Sequence, residues 1–181
     1  MSAASGLPAY AELQCASNFS FLCGASHPEE LVARAAALGY GAIAITDECS
    51  VAGVVRAHAE AKRQGLPLII GSQFHIHHED GSMRLIALAM NRHGYGNLCE
   101  LITLGRGRAQ KGHYCLTQYD FSDPASDHAH LRSLPDCLLL LVPDYGVDVP
   151  ALSHQAAWLR AVFGERARMV LTLLHLSLIH I

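Results

Sequence analysis

The amino-acid sequence predicts an α/β fold built around a parallel sheet, and three observations predict it. Short apolar runs at 41–46 and 68–71 have the length of buried strands. Segments with apolar residues at helical spacing, 28–38 and 51–64, alternate with these runs. Polar residues follow the strands in three places: 12–21, 44–49 and 68–74. Because parallel strands gather their C-terminal ends, these polar residues are expected to share one site.

The first half of the chain is expected to begin with a strand at 10–16 and a loop at 17–26. Ser26 then caps a helix, since Glu29 stands three residues on and completes a capping box. Pro28 suits the first helical turn, and Gly39 ends the helix. The next helix, 51–64, ends in the same way before Gly65.

The second half departs from this alternation. Asp80-Gly81 separates two strand-like runs, 74–78 and 83–90, which predicts a hairpin. The remaining elements are expected to be a helix at 95–108, a polar loop at 119–135, a strand at 137–142, a helix at 151–163 stopped by Gly164, and a strand at 169–174. About five strands of parallel type result, fewer than a closed barrel of ~250 residues requires.

Composition excludes several classes of protein. Of the 181 residues, 51% are hydrophobic and 16% are charged, which excludes a disordered chain. The net charge of -3 excludes a chain that is basic over its whole surface and clamps nucleic acid. The six cysteines form no C-x-x-C pair and are expected to be reduced thiols in a cytoplasmic protein. No apolar run reaches the ~18 residues that cross a membrane.

Several motifs together resemble one known family. They are 12–22 (ELQCASNFSFL), 24–26 (GAS), 44–53 (AITDECSVAG) and 69–74 (IIGSQF). In this order they are similar to the PHP (polymerase and histidinol phosphatase) domain at the start of bacterial C-family DNA polymerase alpha subunits. The 46–49 run (TDEC), with 94–98 (GYGNL) and 101–103 (LIT), is most similar to the error-prone, damage-induced paralogue.

The resemblance implies a fold and a domain organisation. The fold is α/β, a PHP-type distorted (β/α)7 barrel, expected to be truncated at its C-terminal side. The expected division is an N-terminal extension at 1–9, a PHP-like domain with an incomplete barrel at 10–175, and an aberrant or truncated tail at 176–181.

The resemblance also implies a metal site whose ligands this chain has lost. Active members bind a cluster of metal ions and hydrolyse phosphoesters, and such clusters need histidine and carboxylate ligands. The first strand of a metal-binding member ends in His-x-His, a further ligand follows in the loop, and Thr-Asp-His, Glu and His complete the set. The matching positions here are Gln14, Ala16, Cys23, Asp47, Glu48, Gln73 and Arg84. We therefore expect neither a metal ion nor a catalytic residue in this segment.

Other interpretations of the same residues remain open. Asp47 and Glu48 are expected to be a turn and helix cap rather than remnants of a metal site. Arg84, placed among these carboxylates, is a candidate replacement for the lost metal charge. His75 and His77 lie on one strand face beside Glu79 and Asp80, which makes them alternative zinc ligands.

Two further clusters have an ordinary and a functional interpretation. Cys15, Cys23 and Cys49 are expected to be structural thiols rather than a three-thiol metal site. The basic group Arg106, Arg108 and Lys111 is expected to be the cationic last turn of a helix rather than a nucleic-acid contact.

The resemblance implies a function for the longer parent protein: DNA-directed DNA polymerase activity in damage-induced synthesis, with a Mg²⁺ ion in the polymerase domain. This segment is expected to be a non-catalytic structural domain without a cofactor of its own. DNA is the expected partner through the rest of the parent, translesion-synthesis proteins are further candidates, and no membrane is involved. The alternative is a metal-dependent phosphoesterase or 3′–5′ exonuclease that uses Asp47, Glu48, His75 and His77.

Overall fold

The computed structural model describes residues 9–79 and 81–171. Six strands form one sheet in chain order. They are β1 (Ala11–Glu12), β2 (Ala42–Ile45), β3 (Leu68–His78), β4 (Gly81–Ala89), β5 (Cys137–Val142) and β6 (Ala167–Met169). Strands β1, β2 and β3 are parallel, β4 is antiparallel to β3 and β5, and β6 is parallel to β5. All strands except β4 therefore run in the same direction.

The helices pack on one side of this sheet. They are α1 (Pro28–Ala37), α2 (Val54–Gln64), α3 (Arg92–Gly107), α4 (Tyr119–Ser122) and α5 (Val149–Phe163), with short 3-10 helices at Ser126–Leu131 and Gly164–Arg166. One apolar cluster, which includes Val32, Ile43 and Ala57, joins α1 and α2 to β2. A larger cluster joins α3, α4 and α5 to β3, β4 and β5, with Phe74 and Phe121 among its members.

The opposite face of the sheet is concave. Alternate residues of the strands point there and form a third apolar cluster that includes Ala44, Ile86 and Leu140. The sheet curves far enough that residues beside β1 and residues of β6 line the same cavity of about 1490 Å³. A curved, mostly parallel sheet with helices outside is the α/β barrel architecture expected from the sequence.

The structure corrects the expected strands at several points. The first strand is expected at 10–16, but β1 ends at Glu12 because the backbone N–H groups of Gln14 and Cys15 donate to side chains, the Glu12 carboxylate and the Thr46 hydroxyl. The runs at 68–71 and 74–78 are one continuous strand, β3, which pairs in parallel with β2 and antiparallel with β4. The final strand, expected at 169–174, spans Ala167–Met169, and residues 172–174 lie outside the described residues.

Two local expectations about helices are also wrong. The cap of α1 is His27 rather than Ser26, and the carboxylate that accepts its backbone N–H is Glu30, at 2.8 Å, rather than Glu29. The Ser26 carbonyl accepts the backbone N–H of Asn18 and closes the 17–26 loop one residue before this cap. The expected loop at 119–135 contains α4 and a 3-10 helix, since Phe121 and Leu131 are buried and anchor it to the core.

The turn before β5 depends on close backbone packing. Ser133, Leu134 and Asp136 have positive φ angles, which non-glycine residues rarely adopt. The Arg166 guanidinium donates to the carbonyls of Ser133, Leu134 and Cys137 at 2.6–2.7 Å and holds the turn. Gly94 of α3 packs directly on this turn, where a Cβ would stand 2.0 Å from the Asp136 carbonyl oxygen.

Candidate functional site

Polar side chains gather where β1, β2 and β3 end, at one rim of the concave face. The cavity there is lined by all but one of the positions matched to the family's metal ligands, and by both alternative histidines. These lining residues are Gln14, Ala16, Cys23, Glu48, Gln73, His75, His77 and Arg84. These positions therefore lie together at one rim. What its side chains contact decides the chemistry.

Asp47, the exception, points away from the cavity into the protein. Its side chain is fully buried, with 0% exposure, and accepts three hydrogen bonds. The donors are the Ser17 backbone N–H at 2.7 Å, the Ser17 hydroxyl at 2.8 Å and the Ser20 hydroxyl at 2.7 Å. Asp47 thus fastens the 17–26 loop to the end of β2.

The interpretation of Asp47 and Glu48 as a helix cap is wrong. Helix α2 begins at Val54, its N-cap is Gly53, and that cap makes no side-chain hydrogen bond. Asp47 Oδ2 lies beside the N-cap residue, 3.1 Å from where a Cβ of Gly53 would stand, but neither carboxylate accepts a backbone N–H of the first turn of α2. Their partners lie on other segments of the chain.

Glu48 is the centre of a hydrogen-bonded cluster at the rim. Its carboxylate accepts from the Gln73 amide at 2.9 Å, lies 3.1 Å from His75 Nδ1, and accepts from the Tyr114 hydroxyl. The same Tyr114 oxygen accepts the His75 backbone N–H at 2.7 Å. Burial raises the pKa of Glu48, but the hydrogen bonds from His75, Tyr114 and Gln73 outweigh it and hold that pKa below its usual range.

The pKa values of two Glu48 partners, His75 and Tyr114, are raised rather than lowered. The hydrogen bond to Glu48 raises the pKa of His75 above its ordinary value of 6.5, although burial opposes the shift. Burial, reinforced by the hydrogen bond to Glu48, raises the pKa of Tyr114. These directions favour an ionised Glu48 beside a protonated His75 and a neutral phenol.

A second cation, the Arg106 guanidinium, contacts the backbone and the tyrosine ring of this cluster. The Arg106 guanidinium donates to the carbonyls of Glu48 at 3.1 Å and Cys49 at 3.2 Å, and it lies 5.4 Å from the centre of the Tyr114 ring. Cys49 has a φ of 44° and shows how sharply the chain turns here. Arg106 therefore holds the turn that aims Glu48 at the rim.

Arg84 does not take the place proposed for it from the sequence. It lies opposite His75 in the β3–β4 ladder and lines the cavity. Its guanidinium, however, pairs with Asp144 at 3.1 Å, on the loop after β5. The cation beside the Asp47-Glu48 turn is Arg106.

The alternative ligand set is brought together only in part. His75 contacts Glu48 and His77 lines the cavity, but Asp47 is occupied by the two serines. Asp80 lies outside the described residues. Within residues 9–79 and 81–171, no group of three or more His, Cys, Asp or Glu side chains is placed to hold a metal ion.

The cysteines near the rim differ in their surroundings. Burial raises the pKa of both Cys15 and Cys49 to about 11, so both are protonated thiols at neutral pH. Cys23 is exposed on the 17–26 loop. A thiolate is the form of cysteine that binds metal, so two of the three candidate thiols are poor ligands here.

Two of the three basic side chains at the end of α3 contact other groups of the protein. Arg106 binds backbone carbonyls as described, and Arg108 pairs with the buried Asp120 at 2.5 Å. Lys111 is exposed. Arg106 lies in the last turn of α3 and Arg108 is its C-cap residue, as expected, and their guanidinium groups contact the turn at Cys49 and Asp120.

Sequence reasoning missed Tyr114 and the role of Arg106. Tyr114 lies 66 residues from Glu48 along the chain, in a segment without strand or helix periodicity. The residues on either side of Tyr114 form no pattern that indicates a contact between its hydroxyl and Glu48. Only the return of the chain past β3, where His77 bridges to Thr117, places it at the rim.

The described part of the chain contains no helix that is both long and apolar enough to cross a membrane.

Comparison with known proteins identifies the family. The PHP domain matches residues 12–170. The error-prone DNA polymerase of Bordetella parapertussis is 61% identical over 171 residues, and that of Ralstonia nicotianae is 58% identical over 170 residues. Each match covers 93% of this chain but only 16% of the relative, so the chain spans about a sixth of the relatives' length.

A solved structure shows the same fold. A protein of Bifidobacterium adolescentis named as a metal-dependent phosphoesterase superposes with a TM-score of 0.55 at 16% identity, over 83% of this chain and 75% of its own. At this identity the likeness concerns the fold alone. With the family match over most of its length, the chain belongs to the PHP domain family.

Proposed function

We propose that this chain is the PHP portion of an error-prone DNA polymerase, and that it serves that polymerase as a structural, non-catalytic domain. The first part is supported by relatives of that name at 61% and 58% identity, which match only over a sixth of their length. The parent would transfer nucleotides to a DNA 3′ end in damage-induced synthesis, in the cytoplasm. Its DNA contacts and its Mg²⁺ site would lie in the rest of that protein.

The structural role rests on a single observation: internal hydrogen bonds occupy both carboxylates that follow β2, the buried Asp47 and the cavity-lining Glu48. The Asp47 carboxylate is hydrogen-bonded to Ser17 and Ser20. The Glu48 carboxylate is hydrogen-bonded to Gln73, His75 and Tyr114. A metal ion at this rim would have to break bonds that hold the 17–26 loop and the β2–β3 edge together. Gln14 and Ala16 offer no imidazole in exchange.

Hydrolysis of a chromogenic phosphodiester by the purified chain tests the non-catalytic role. With Mn²⁺ or Zn²⁺ present, we expect no hydrolysis above the buffer rate, and the same rate for the wild type and the Glu48→Gln variant. Activity that disappears both on chelation and in Glu48→Gln would overturn the proposal and favour the phosphoesterase or exonuclease alternative. The reading frame downstream tests the parent, since it should continue into a polymerase.

A further inference from the structure

The 17–26 loop exposes two large apolar side chains that are neighbours in the chain. Phe21 is 85% exposed and Leu22 is 89% exposed. Phe19, two residues earlier in the same loop, is 42% exposed. Single exposed apolar residues are ordinary on a protein surface, but large ones that lie together mark an interaction surface. Phe19, Phe21 and Leu22 are called the loop patch below.

The loop that carries this patch is held in one conformation by its own contacts. Its start is fastened by the three hydrogen bonds that Asp47 accepts from Ser17 and Ser20. Further on, the backbone N–H groups of Cys23 and Gly24 both donate to the Ser20 carbonyl at 3.0 Å. A Cβ on Gly24 would stand 2.0 Å from the Ser17 carbonyl oxygen, so backbone packs directly on backbone there. A partner that binds the loop therefore does not have to order it first.

The backbone conformation of Leu22 points to a contact outside the described residues. Leu22 has a φ of 63°, which bulky side chains rarely adopt and which glycine or asparagine adopts more easily. Because its side chain is exposed, leucine gains no burial within this chain in return for that conformation. Backbone strain of this kind is concentrated at functional positions, and burial of the leucine against a partner would offset it.

The charges around the loop patch favour a protein partner over a nucleic acid. Residues 1–33 contain no lysine or arginine, and their charged residues are Glu12, Glu29 and Glu30. Arg56 of α2 is paired with Glu29 at 3.5 Å. Nucleic acids are bound through lysines and arginines that neutralise phosphates, and the loop supplies none. An apolar patch with acidic residues on either side of it in the chain fits an apolar pocket bordered by basic side chains.

Building on the function proposed above, we propose that the loop patch docks this domain onto the body of its parent polymerase. The body is the part of the parent outside this chain, about five-sixths of the length of the relatives. Because the body is joined covalently to the domain, it meets the patch at a high effective concentration, and a small apolar contact is enough to hold it. The Asp47 hydrogen bonds then position the patch for docking.

Hydroxyl-radical footprinting with mass spectrometry tests the docking directly, because it measures how accessible each side chain is to solvent. The comparison is between this chain alone and the full-length parent, expressed from the continuous reading frame. We expect Phe21 and Leu22 to be oxidised at least about fivefold more slowly in the parent, since the central side chains of an interface are desolvated. Equal oxidation rates in the two proteins would overturn the docking and leave the proposed function intact.

The double variant Phe21→Ser, Leu22→Asn separates docking from folding. In this chain alone, its urea midpoint should match that of the wild type, because both side chains are exposed and asparagine tolerates a positive φ. In the parent, protease should release the N-terminal domain at least about tenfold faster than in the wild type. Leu38→Ser is the matched control, because it removes a half-exposed leucine from the other end of α1, and it should be released at the wild-type rate.

The remaining outcomes identify other occupants of the loop patch. A dimer of this chain that the double variant abolishes, seen by analytical ultracentrifugation, would make a second copy the occupant and overturn the proposal. Protection of Phe21 from oxidation by single-stranded DNA would overturn it in favour of a nucleic acid. Domain release at the wild-type rate from the double variant would also overturn it. A reading frame that does not continue into a polymerase would overturn the proposed function together with the docking.

Discussion

Replacing Asp47 with alanine is the most direct perturbation of the buried hydrogen bonds at the rim. The substitution removes three acceptor contacts of 2.7–2.8 Å and leaves the Ser17 backbone N–H and two hydroxyls without their partner in a fully buried place. A hydrogen bond to a charged group contributes about 1.5–3 kcal/mol to stability. The three are not additive, since both hydroxyls can turn to other acceptors, so we expect a loss of about 3–5 kcal/mol.

Urea unfolding, followed by circular dichroism, measures this loss as a shift of the midpoint at unchanged slope. Asp144→Ala is the matched control, because it also truncates an aspartate but removes one half-exposed ion pair with Arg84, worth below about 1 kcal/mol. Asp47→Ala should also be cleaved faster than the wild type by protease within residues 17–26. If Asp47→Ala were no less stable than Asp144→Ala, Asp47 would not anchor the loop as argued.

Three further predictions concern pH, packing and thiol reactivity. The stability that His75 contributes, taken as wild type minus His75→Gln, should be fully present below pH 6.5 and lost as pH rises through its raised pKa. Because His75 is 46% exposed, that contribution should stay below about 1 kcal/mol, and a contribution that grows with pH would contradict the pairing with Glu48. In urea unfolding, Gly94→Ala should destabilise the protein by about 1–3 kcal/mol, because its Cβ would meet the turn before β5. Gly96→Ala lies in the same helix with nothing within 4 Å and should stabilise the protein by about 0.5–1 kcal/mol. Equal effects of the two substitutions would refute the packing of α3 on that turn. Ellman's reagent should label the exposed thiol of Cys23 first, with mass spectrometry locating the label, and early labelling of a buried thiol would be the contrary result.

The parts of the fold that sequence reasoning predicted depend on short-range signals. Gly39, Gly65 and Gly164 end or follow helices with φ angles of 74°, 68° and 57°, where side chains are disfavoured. Apolar runs such as 137–142 match their strands because buried strands need continuous apolar sequence. These signals lie within the segment that they describe.

The contacts of the candidate site could not be predicted, because they join segments far apart in the chain. Asp47 meets serines about 30 residues away, and Glu48 meets Tyr114 at a separation of 66 residues. The motif placed both carboxylates correctly at the end of β2. Which one faces the cavity depends on the turn at Cys49, and that turn depends on Arg106 from α3. Contacts that depend on distant segments in this way leave no pattern in the sequence around Asp47 and Glu48.

One measurement tests most directly whether internal hydrogen bonds have replaced the metal ligands of the rim. Crystals of the chain soaked in Mn²⁺ would be recorded for anomalous scattering. The account predicts that Asp47 keeps its contacts with Ser17 and Ser20, that Glu48 keeps those with Gln73 and Tyr114, and that no anomalous peak lies between them. Two or more manganese peaks bridged by Asp47 or Glu48 would contradict it.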